Sequence, residues 1–180
     1  MPKTPPLITD LVQIDRLGTK KLQENERFRK HMKRHNFSDL KFRRVAEEIE
    51  EQIDCRSCGN CCKVAETDIT RRDTERISRK IGMSEHEFIQ TYTTSSTFEE
   101  EEMILRRTEK GCIFLDGNDC TIYEDRPDTC RNFPHLVRGR GSIESRMWQM
   151  IDRATYCPIV YNTLEAYKDL MSFQRTPSPK

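Results

Sequence analysis

The chain has 180 residues, of which 34% are charged, and its formal net charge is only +1 at pH 7. This balance argues against a general attraction to nucleic acid or to acidic membranes, and no apolar run is long enough to cross a bilayer. Leu, Ile, Val and Phe make up only about a fifth of the residues. The hydrophobic core is therefore small, and a bound structural metal would add to the stability of the fold. Residues 1–9 lack the apolar stretch of a secretory signal, and we expect a protein of the reducing cytoplasm.

Residues 10–54 predict charged amphipathic helices. Apolar residues recur at helical spacing from Leu11 onwards, although Gly18 weakens this first helix, and Ser38 is placed as the N-cap of a second. Residues 16–44 contain eleven Lys and Arg against three Asp and Glu. One interpretation of this basic segment is a binding surface for an acidic protein or a phosphate-bearing partner. The other is a solvated helical face whose charge is balanced by the acidic residues that follow, and we favour this second interpretation. Nucleic acid is not an expected partner, because no nucleic-acid motif is present.

The next segment holds half of the chain's eight cysteines. Cys55, Cys58, Cys61 and Cys62 fall within eight consecutive residues, three of them in the rhythm C-x2-C-x2-C. Thiolates at this spacing converge on one point from a tight loop, as they do in iron–sulfur and thiolate zinc sites. Side chains of adjacent residues usually point apart, so Cys62 is expected to serve a second site or to join the distant cysteines across a larger cluster. Thiolate ligation favours an iron–sulfur cluster, [4Fe–4S] first, over zinc, although spacing alone does not separate the two metals.

The rest of the chain contains both strand and helix signals. Five segments have the composition typical of strands: 64–69, 103–107, 112–115, 120–123 and 143–151. The turn over 116–119 predicts a hairpin that places Cys112 and Cys120 at the same end of neighbouring strands.

Four residues mark predicted helix starts: the N-caps Thr70 and Ser84, and the prolines Pro127 and Pro158. The last helix is expected to run to about Phe173, with Val160, Leu164 and Tyr167 facing inward. The tail over 174–180 is predicted to be disordered.

The eight cysteines are all candidate metal ligands: Cys55, Cys58, Cys61, Cys62, Cys112, Cys120, Cys130 and Cys157. In a secreted chain they would suggest disulfides, whereas in a reducing compartment they indicate metal or redox chemistry. Arg126 and Arg131 flank Cys130 and either pair with nearby acids or a thiolate cluster, or line a cavity with Tyr123 as cofactor- or substrate-binding residues. His31 and His35 have a zinc-chelating spacing, but an exposed pair on a basic helix is the favoured interpretation.

Several cysteine-containing segments together carry a resemblance to a known family: 55–62, Gly111-Cys112-Ile113-Phe114-Leu115, Cys120-Thr121-Ile122-Tyr123, Arg126-Pro127 through Cys130-Arg131-Asn132-Phe133-Pro134, and Tyr156-Cys157-Pro158. In the order and spacing of its cysteines, the region over 55–158 resembles the YkgJ-like CxxCxxCC cysteine-cluster family, whose members are described as zinc- or iron-chelating domains. The family also resembles the flagellin lysine-N-methylases, which share the cysteine signature. The resemblance implies metal chelation, with an iron–sulfur cluster favoured, and no settled reaction.

The sequence thus predicts a small α+β domain in which helices surround a short antiparallel hairpin or sheet and a metal staples them together. We expect a charged helical extension over 1–54, a cysteine-cluster domain over 55–173 and the tail. The leading function is a cytosolic metal-binding protein of unassigned reaction. The alternatives are a cluster-dependent enzyme resembling the protein-lysine methyltransferases, and a structural-zinc module that docks a partner through its basic helices. The enzyme hypothesis lacks a glycine-rich motif for a nucleotide-type cofactor.

Overall fold

A computed structural model describes residues 6–35, 37–97, 102–139 and 141–175. From residue 176 onwards, the predicted disordered tail lies outside this range. The chain divides into two compact units. Unit 1 combines Met1–Asp54 with Pro134–Lys180, and unit 2 is Cys55–Phe133. The domain boundaries expected from the sequence stay a prediction.

The secondary structure is mostly helical, with short antiparallel strand pairs, which confirms the α+β class. The helices are α1 (Leu11–Lys20), α2 (Leu22–Arg34), α3 (Asp39–Glu50), α4 (Cys55–Cys58), α5 (Asn60–Val64), α6 (Arg71–Ile81), α7 (Glu85–Tyr92), α8 (Asp128–Asn132), α9 (Ile143–Arg153) and α10 (Pro158–Leu170). The strands are β1 (Thr93–Ser95), β2 (Met103–Leu105), β3 (Arg107–Thr108), β4 (Gly111–Cys112), β5 (Leu115–Asp116) and β6 (Asp119–Cys120). Within the described ranges, no helix has the length and apolar character needed to cross a membrane.

Unit 1 is a helical unit in which α3 packs on α10 and α2 packs on α9. Its core contains an aromatic cluster, where the rings of Phe28 and Phe42 lie 6.2 and 5.0 Å from the ring of Tyr167, both in edge-on arrangements. Such edge-on pairs are favourable because the positive edge of one ring meets the negative face of the other. Val160, Leu164 and Tyr167 are buried as predicted, so α10 is the central helix of this core.

The glycine in α1 has a packing role that the sequence does not reveal. A Cβ at Gly18 would lie only 2.4 Å from the carbonyl oxygen of Ala154, which follows α9. The absence of a side chain therefore allows a close approach between two backbones. The helix continues through Gly18 because this contact offsets the low helix propensity of glycine.

A buried charge network also stabilises unit 1. The side chain of Lys168 is fully buried, and its Nζ lies 2.6 Å from a carboxylate oxygen of Glu24 and 2.6 Å from one of Glu165. Lys21 also pairs with Glu165, and Arg175 lies 3.4 Å from it. A buried ammonium is tolerated only with such partners, so removing Lys168 would leave two partly buried carboxylates with fewer cations.

Unit 2 contains two capped helices, α6 and α7. Thr70 and Asp73 form a capping box at the start of α6, and Ser84 and Glu87 form another at the start of α7, as the sequence predicts. Gly82 ends α6 in the left-handed conformation. The core of the unit groups five buried residues from α6, α7, β2 and the region of the hairpins: Ile77, Phe88, Leu105, Phe114 and Ile122.

Two of the predicted strands, 64–69 and 143–151, are wrong, and the predicted strands 112–115 and 120–123 are strand only at Cys112, Leu115 and Cys120. Residues 64–69 end α5 and then make only a single β-bridge, at Asp68 with Ile104. The segment over 143–151 is helix α9, capped by the Ser142 hydroxyl, which accepts a hydrogen bond from the Ser145 backbone N–H. Ile143, Met147 and Met150 are buried there at helical spacing. The 3.6-residue period of these apolar residues therefore determines the secondary structure more strongly than the strand preference of the β-branched residues does.

Candidate metal centre

The cysteine-rich loop consists of two short helical turns joined by a glycine. Cys55–Cys58 forms α4, Gly59 adopts a left-handed φ of 58°, and Asn60–Val64 forms α5. Only glycine takes this conformation without steric cost. The second turn brings the Sγ atoms of Cys61 and Cys62 to 4.0 Å, so the expectation that these adjacent side chains point apart is wrong. Their separation is close to the ~3.8 Å between thiolates at a tetrahedral zinc ion with Zn–S bonds near 2.3 Å.

One hairpin holds this loop through Asn118. The Asn118 side-chain amide donates to the Ser57 carbonyl at 3.0 Å, and the Lys63 ammonium donates to the Asn118 Oδ1 at 2.6 Å. A Cβ on Gly59 would lie 3.1 Å from the Asn118 carbonyl oxygen. Asn118 is in the tight turn between β5 and β6, so the β5–β6 hairpin binds both halves of the loop.

A second hairpin, formed by β3 and β4, also contacts the cysteine-rich loop. A Cβ on Gly111 would lie 2.6 Å from the Cys62 carbonyl oxygen and 2.8 Å from the Lys63 Cα, and Gly111 has a φ of 124°. The Arg107 guanidinium donates to the carbonyl oxygens of Lys63 and Ala65. Both contacts press the backbone that follows Cys62 against this hairpin.

The two hairpins carry Cys112 and Cys120. In β4, Cys112 pairs with Arg107, whereas in β6 Cys120 pairs with Leu115. The predicted turn over 116–119 is therefore present, but it does not make Cys112 and Cys120 neighbours on paired strands. They lie instead on successive two-stranded hairpins, because the chain turns once between β3 and β4 and again between β5 and β6.

Cys130 lies on α8, a single helical turn anchored to α6. The Asp73 carboxylate accepts the Asp128 backbone N–H at 3.0 Å and the Arg76 guanidinium at 2.6 Å, and the same guanidinium donates to the Arg126 carbonyl at 2.9 Å. Pro127 is the N-cap of this turn rather than its first helical residue. The Cys130 thiol lies 4.0 Å from the Thr67 hydroxyl.

Cys62 is the most acidic thiol for which a shift is resolved. A hydrogen bond from Cys61 makes the largest contribution, and together with the positive charges of Arg107 and Arg126 it lowers the pKa of Cys62 to about 7, against the opposing effect of burial. A thiol with this pKa is about half ionised at neutral pH. Two arginines therefore lie close enough to stabilise negative charge on the sulfur of Cys62.

The three distant thiols of this unit show the opposite behaviour. Burial raises the pKa of Cys112 to about 11 and that of Cys130 to about 12, and it also raises the pKa of Cys120. The charge of Cys62 contributes to all three increases. These four sulfurs thus lie within electrostatic range of one another, and ionising one makes the others harder to ionise.

The eight predicted ligands are consequently distributed unevenly. Cys61 and Cys62 are in contact, and Cys62 interacts electrostatically with Cys112, Cys120 and Cys130. Cys55 is exposed and Cys58 is partly buried. In the part of the chain that the structure describes, no three His, Cys, Asp or Glu side chains are already arranged to hold a metal ion. Cys157 belongs to unit 1, where it is buried at the N-cap of α10.

The predicted cofactor-binding residues surround the start of α8. Arg131 donates to the carbonyl oxygens of Arg126 and Glu124, and Arg126 donates to that of Tyr123. The guanidinium carbons of Arg126 and Arg56 lie 3.8 and 4.6 Å from the ring centroid of Tyr123, as cation–π contacts. These contacts hold the segment between β6 and α8, and binding of a substrate or cofactor by these residues stays a prediction.

Sequence reasoning missed Arg107 and Asn118 as residues of this centre. Arg107 pairs with Cys112 across β3 and β4 and lowers the pKa of Cys62. Asn118 lies in the predicted hairpin turn, where asparagine is common for conformational reasons alone. Its position therefore gave no sign of a role in the site. The available signal was the hairpin register, which places Arg107 beside a candidate ligand.

The comparison with protein families decides the identity of this cysteine pattern. The CxxCxxCC family, described as "Putative zinc- or iron-chelating domain", matches residues 54–158. The chain belongs to the CxxCxxCC family. The CxxCxxCC match covers more than half of the chain and includes all eight cysteines. Neither the curated proteins nor the solved structures compared with this CxxCxxCC protein match it.

Proposed function

We propose that the thiols of unit 2 hold an iron–sulfur cluster, with zinc as the second candidate; a ligand role for Cys157 stays a prediction from the sequence. The observation that carries this proposal is the packing of the cysteine loop on the two hairpins that hold Cys112 and Cys120. The mutual electrostatic effect of Cys62, Cys112, Cys120 and Cys130 agrees with this arrangement. These residues come from α5, β4, β6 and α8, four elements separated along the sequence. A metal centre is a common reason for a protein to bring several weakly acidic thiols together.

The charges around the thiols fit such a group. Four thiolates around a divalent ion leave a net charge of about −2, which a partly buried site must neutralise. Arg107 and Arg126 both lower the pKa of Cys62 and so supply positive charge at the required place. The donor set is made of sulfur, which selects zinc or iron–sulfur centres over magnesium or calcium.

Metal binding would complete the site rather than fill a finished one. With their raised pKa values, Cys112 and Cys130 are protonated at neutral pH in the absence of metal. A metal displaces these protons, and its binding energy then adds to the folding energy of the domain. The exposed Cys55 joins the other ligands by closure of the loop in this scheme.

The residues of the chain have distinct tasks in this proposal. An iron–sulfur cluster supplies electron transfer, whereas a closed thiolate zinc site supplies stability alone. The Gly59 turn and the Asn118 contacts orient the loop cysteines, and Arg107 fixes the backbone that follows Cys62. Tight packing of the Cys62 and Lys63 backbone on Gly111 fixes the position of Cys62.

The first test is the absorption spectrum and metal content of protein purified without oxygen. A visible thiolate-to-iron band with iron and acid-labile sulfide would support the cluster. A colourless protein with stoichiometric zinc would replace the cluster by a structural zinc site. A folded protein that takes up neither metal after reconstitution would overturn metal binding altogether.

The ligand set is tested by replacing single cysteines with serine. We expect Cys62→Ser and Cys130→Ser to lose bound metal, because both thiols belong to the electrostatically coupled group. Ser57→Ala in the same loop is the matched control, since its hydroxyl is not a predicted ligand. Full metal content in Cys130→Ser would remove that residue from the site, and full content in Cys157→Ser would restrict the ligands to unit 2.

We further propose a cytoplasmic location, because free thiols with metal-binding roles persist in reducing compartments. The acidic or phosphate-bearing partner of residues 16–44 stays a proposal. It is supported by their excess of Lys and Arg and tested by binding that weakens steeply with salt. A lysine methyltransferase-like reaction stays an untested alternative, and a methylation assay with the metal-loaded protein would test it.

A further inference from the structure

The C-terminal end of α2 in unit 1 carries two histidines whose rings are in contact. His31 belongs to the last turn of the helix, and His35 is its C-cap residue. Their ring centroids lie 4.1 Å apart, with an angle of 27° between the ring planes. Residues four positions apart share one face of a helix, and the two imidazoles meet on this face. Neither histidine belongs to the proposed cysteine centre.

The distance between the rings fits the binding of one metal ion by both imidazoles. Two imidazoles that bind the same ion through metal–nitrogen bonds of about 2.0–2.1 Å have ring centroids roughly 4.5–5 Å apart. The observed separation of 4.1 Å differs from this by less than about 1 Å. The His35 side chain is exposed, so rotation of its ring can open the pair by this amount.

Two phenylalanines hold the ring of His31 in place. The ring centroid of His31 lies 5.2 Å from that of Phe173, edge-on, and 6.4 Å from that of Phe28, in a stacked arrangement. Phe173 is fixed by the turn that ends α10, where Ser172 has a φ of 50° and the Phe173 N–H donates to the Lys168 carbonyl at 2.9 Å. This turn is a Schellman motif, in which glycine is the usual residue at the position of Ser172. A ligand that is oriented in advance loses less entropy when it binds.

The charges around the histidine pair act in two directions. Lys33 and Arg34, also in the last turn of α2, repel a cation. The C-terminal end of the helix carries a partial negative charge, which attracts one. Coordination itself needs only the neutral imidazole, which is the main form above a pH of about 6.5. The local charge therefore reduces the affinity for a cation without preventing coordination.

We propose that His31 and His35 together bind one divalent first-row transition metal ion. Imidazole suits zinc, copper, nickel and iron, whereas magnesium and calcium prefer oxygen ligands. Among the residues that the structure describes, no third His, Cys, Asp or Glu completes a metal site. The ion would thus keep positions open for water or another ligand, unlike a closed thiolate site. Ring packing alone is the simpler role of the pair, and it predicts no metal uptake.

The first test is imidazole NMR of the full chain, without a histidine tag, during titration with Ni²⁺. The unpaired electrons of this ion broaden the signals of the rings that bind it. We expect the signals of His31 and His35 to broaden together, before those of His86 and His135, and Mg²⁺ should leave all four unchanged. Because the measurement follows the rings themselves, metal bound by cysteines does not enter it. The result is therefore independent of the proposed cysteine centre.

The second test compares the exposed-site variant His35→Gln with the matched control His86→Gln. His86 is also exposed on a helix, but the residue four positions later is Gln90, whose Nε2 lies 3.4 Å from the His86 Nε2. We expect His35→Gln to weaken Ni²⁺ binding at His31 about tenfold or more, since even a group that only orients a metal ligand contributes about 10–100-fold to affinity. His86→Gln should bind as the parent does. Broadening of only one ring of the pair, equal broadening of His86, or equal affinity of the parent and His35→Gln would overturn the proposal.

Discussion

Gly111→Ala tests the contact that places Cys62. The new methyl group would lie 2.6 Å from the Cys62 carbonyl oxygen and 2.8 Å from the Lys63 Cα, both backbone atoms that side-chain rotation does not move. The φ of 124° adds strain of about 1–3 kcal/mol for any residue other than glycine, and overpacking adds about 1–3 kcal/mol. We expect a total loss of about 2–6 kcal/mol in the free energy of unfolding, together with loss of bound metal.

The matched control is Gly117→Ala in the β5–β6 turn. Gly117 also has a positive φ, of 62°, but a Cβ there would meet nothing within 4 Å. This variant should therefore lose only about 1 kcal/mol, from backbone strain alone. Urea denaturation followed by circular dichroism gives both free energies, and metal analysis after reconstitution gives the occupancy. If Gly111→Ala were no less stable than Gly117→Ala and bound the same amount of metal, the contact would not position Cys62.

The remaining predictions concern charge and metal. Lys168→Met should lower the free energy of unfolding by about 3 kcal/mol, because the partly buried carboxylates of Glu24 and Glu165 lose a cation. The control is Lys80→Met, which removes an exposed contact of 3.9 Å with Asp125 and should change the free energy of unfolding by less than about 0.5 kcal/mol. Equal values for the two variants would contradict the role of the buried network. Burial raises the pKa of Asp73, but hydrogen bonds from Thr70, Arg76 and Asp128 outweigh this effect, so that the pKa is lowered overall. The stability from Asp73 is then present above its unfolded pKa near 3.8 and is lost as the pH falls through the folded value. Asp73→Asn should cost about 2 kcal/mol at pH 6, and this loss should shrink as the pH falls through the folded pKa of Asp73. A loss independent of pH would argue against the carboxylate. Chelation of the metal from the loaded protein should lower its melting temperature, and an unchanged melting curve would show that the metal does not support the fold.

Local signals in the sequence predicted much of the fold. The caps at Ser38, Thr70 and Ser84 are where the hydroxyl patterns place them, because capping depends on residues only three positions apart. The failure at α9 has a specific cause. The isoleucines of 143–151 suggested a strand, whereas the helical spacing of Ile143, Met147 and Met150 was the stronger signal.

Tertiary contacts were not available from local patterns. Helix propensity predicts that Gly18 destabilises α1. In the structure Gly18 instead permits the close backbone contact with Ala154, which is more than a hundred residues away in the sequence. Within the candidate centre, the motif identified the cysteines, and it did not show that Arg107 and Arg126 lie beside Cys62. Such contacts depend on the register of two short hairpins, which a shift of one residue would change completely.

The division of the chain into two units has a consequence for its synthesis. Unit 2 is continuous in sequence, whereas unit 1 needs residues from both ends of the chain, and α3 meets its partner α10 only after the intervening segment has been made. Because synthesis proceeds from the N-terminus at about 5–20 residues per second, the cysteines of unit 2 emerge while α1–α3 still lack α9 and α10. We therefore predict that the seven earlier cysteines, as the proposed ligands, can bind metal before Cys157 emerges, whereas the helices of unit 1 complete their core several seconds later.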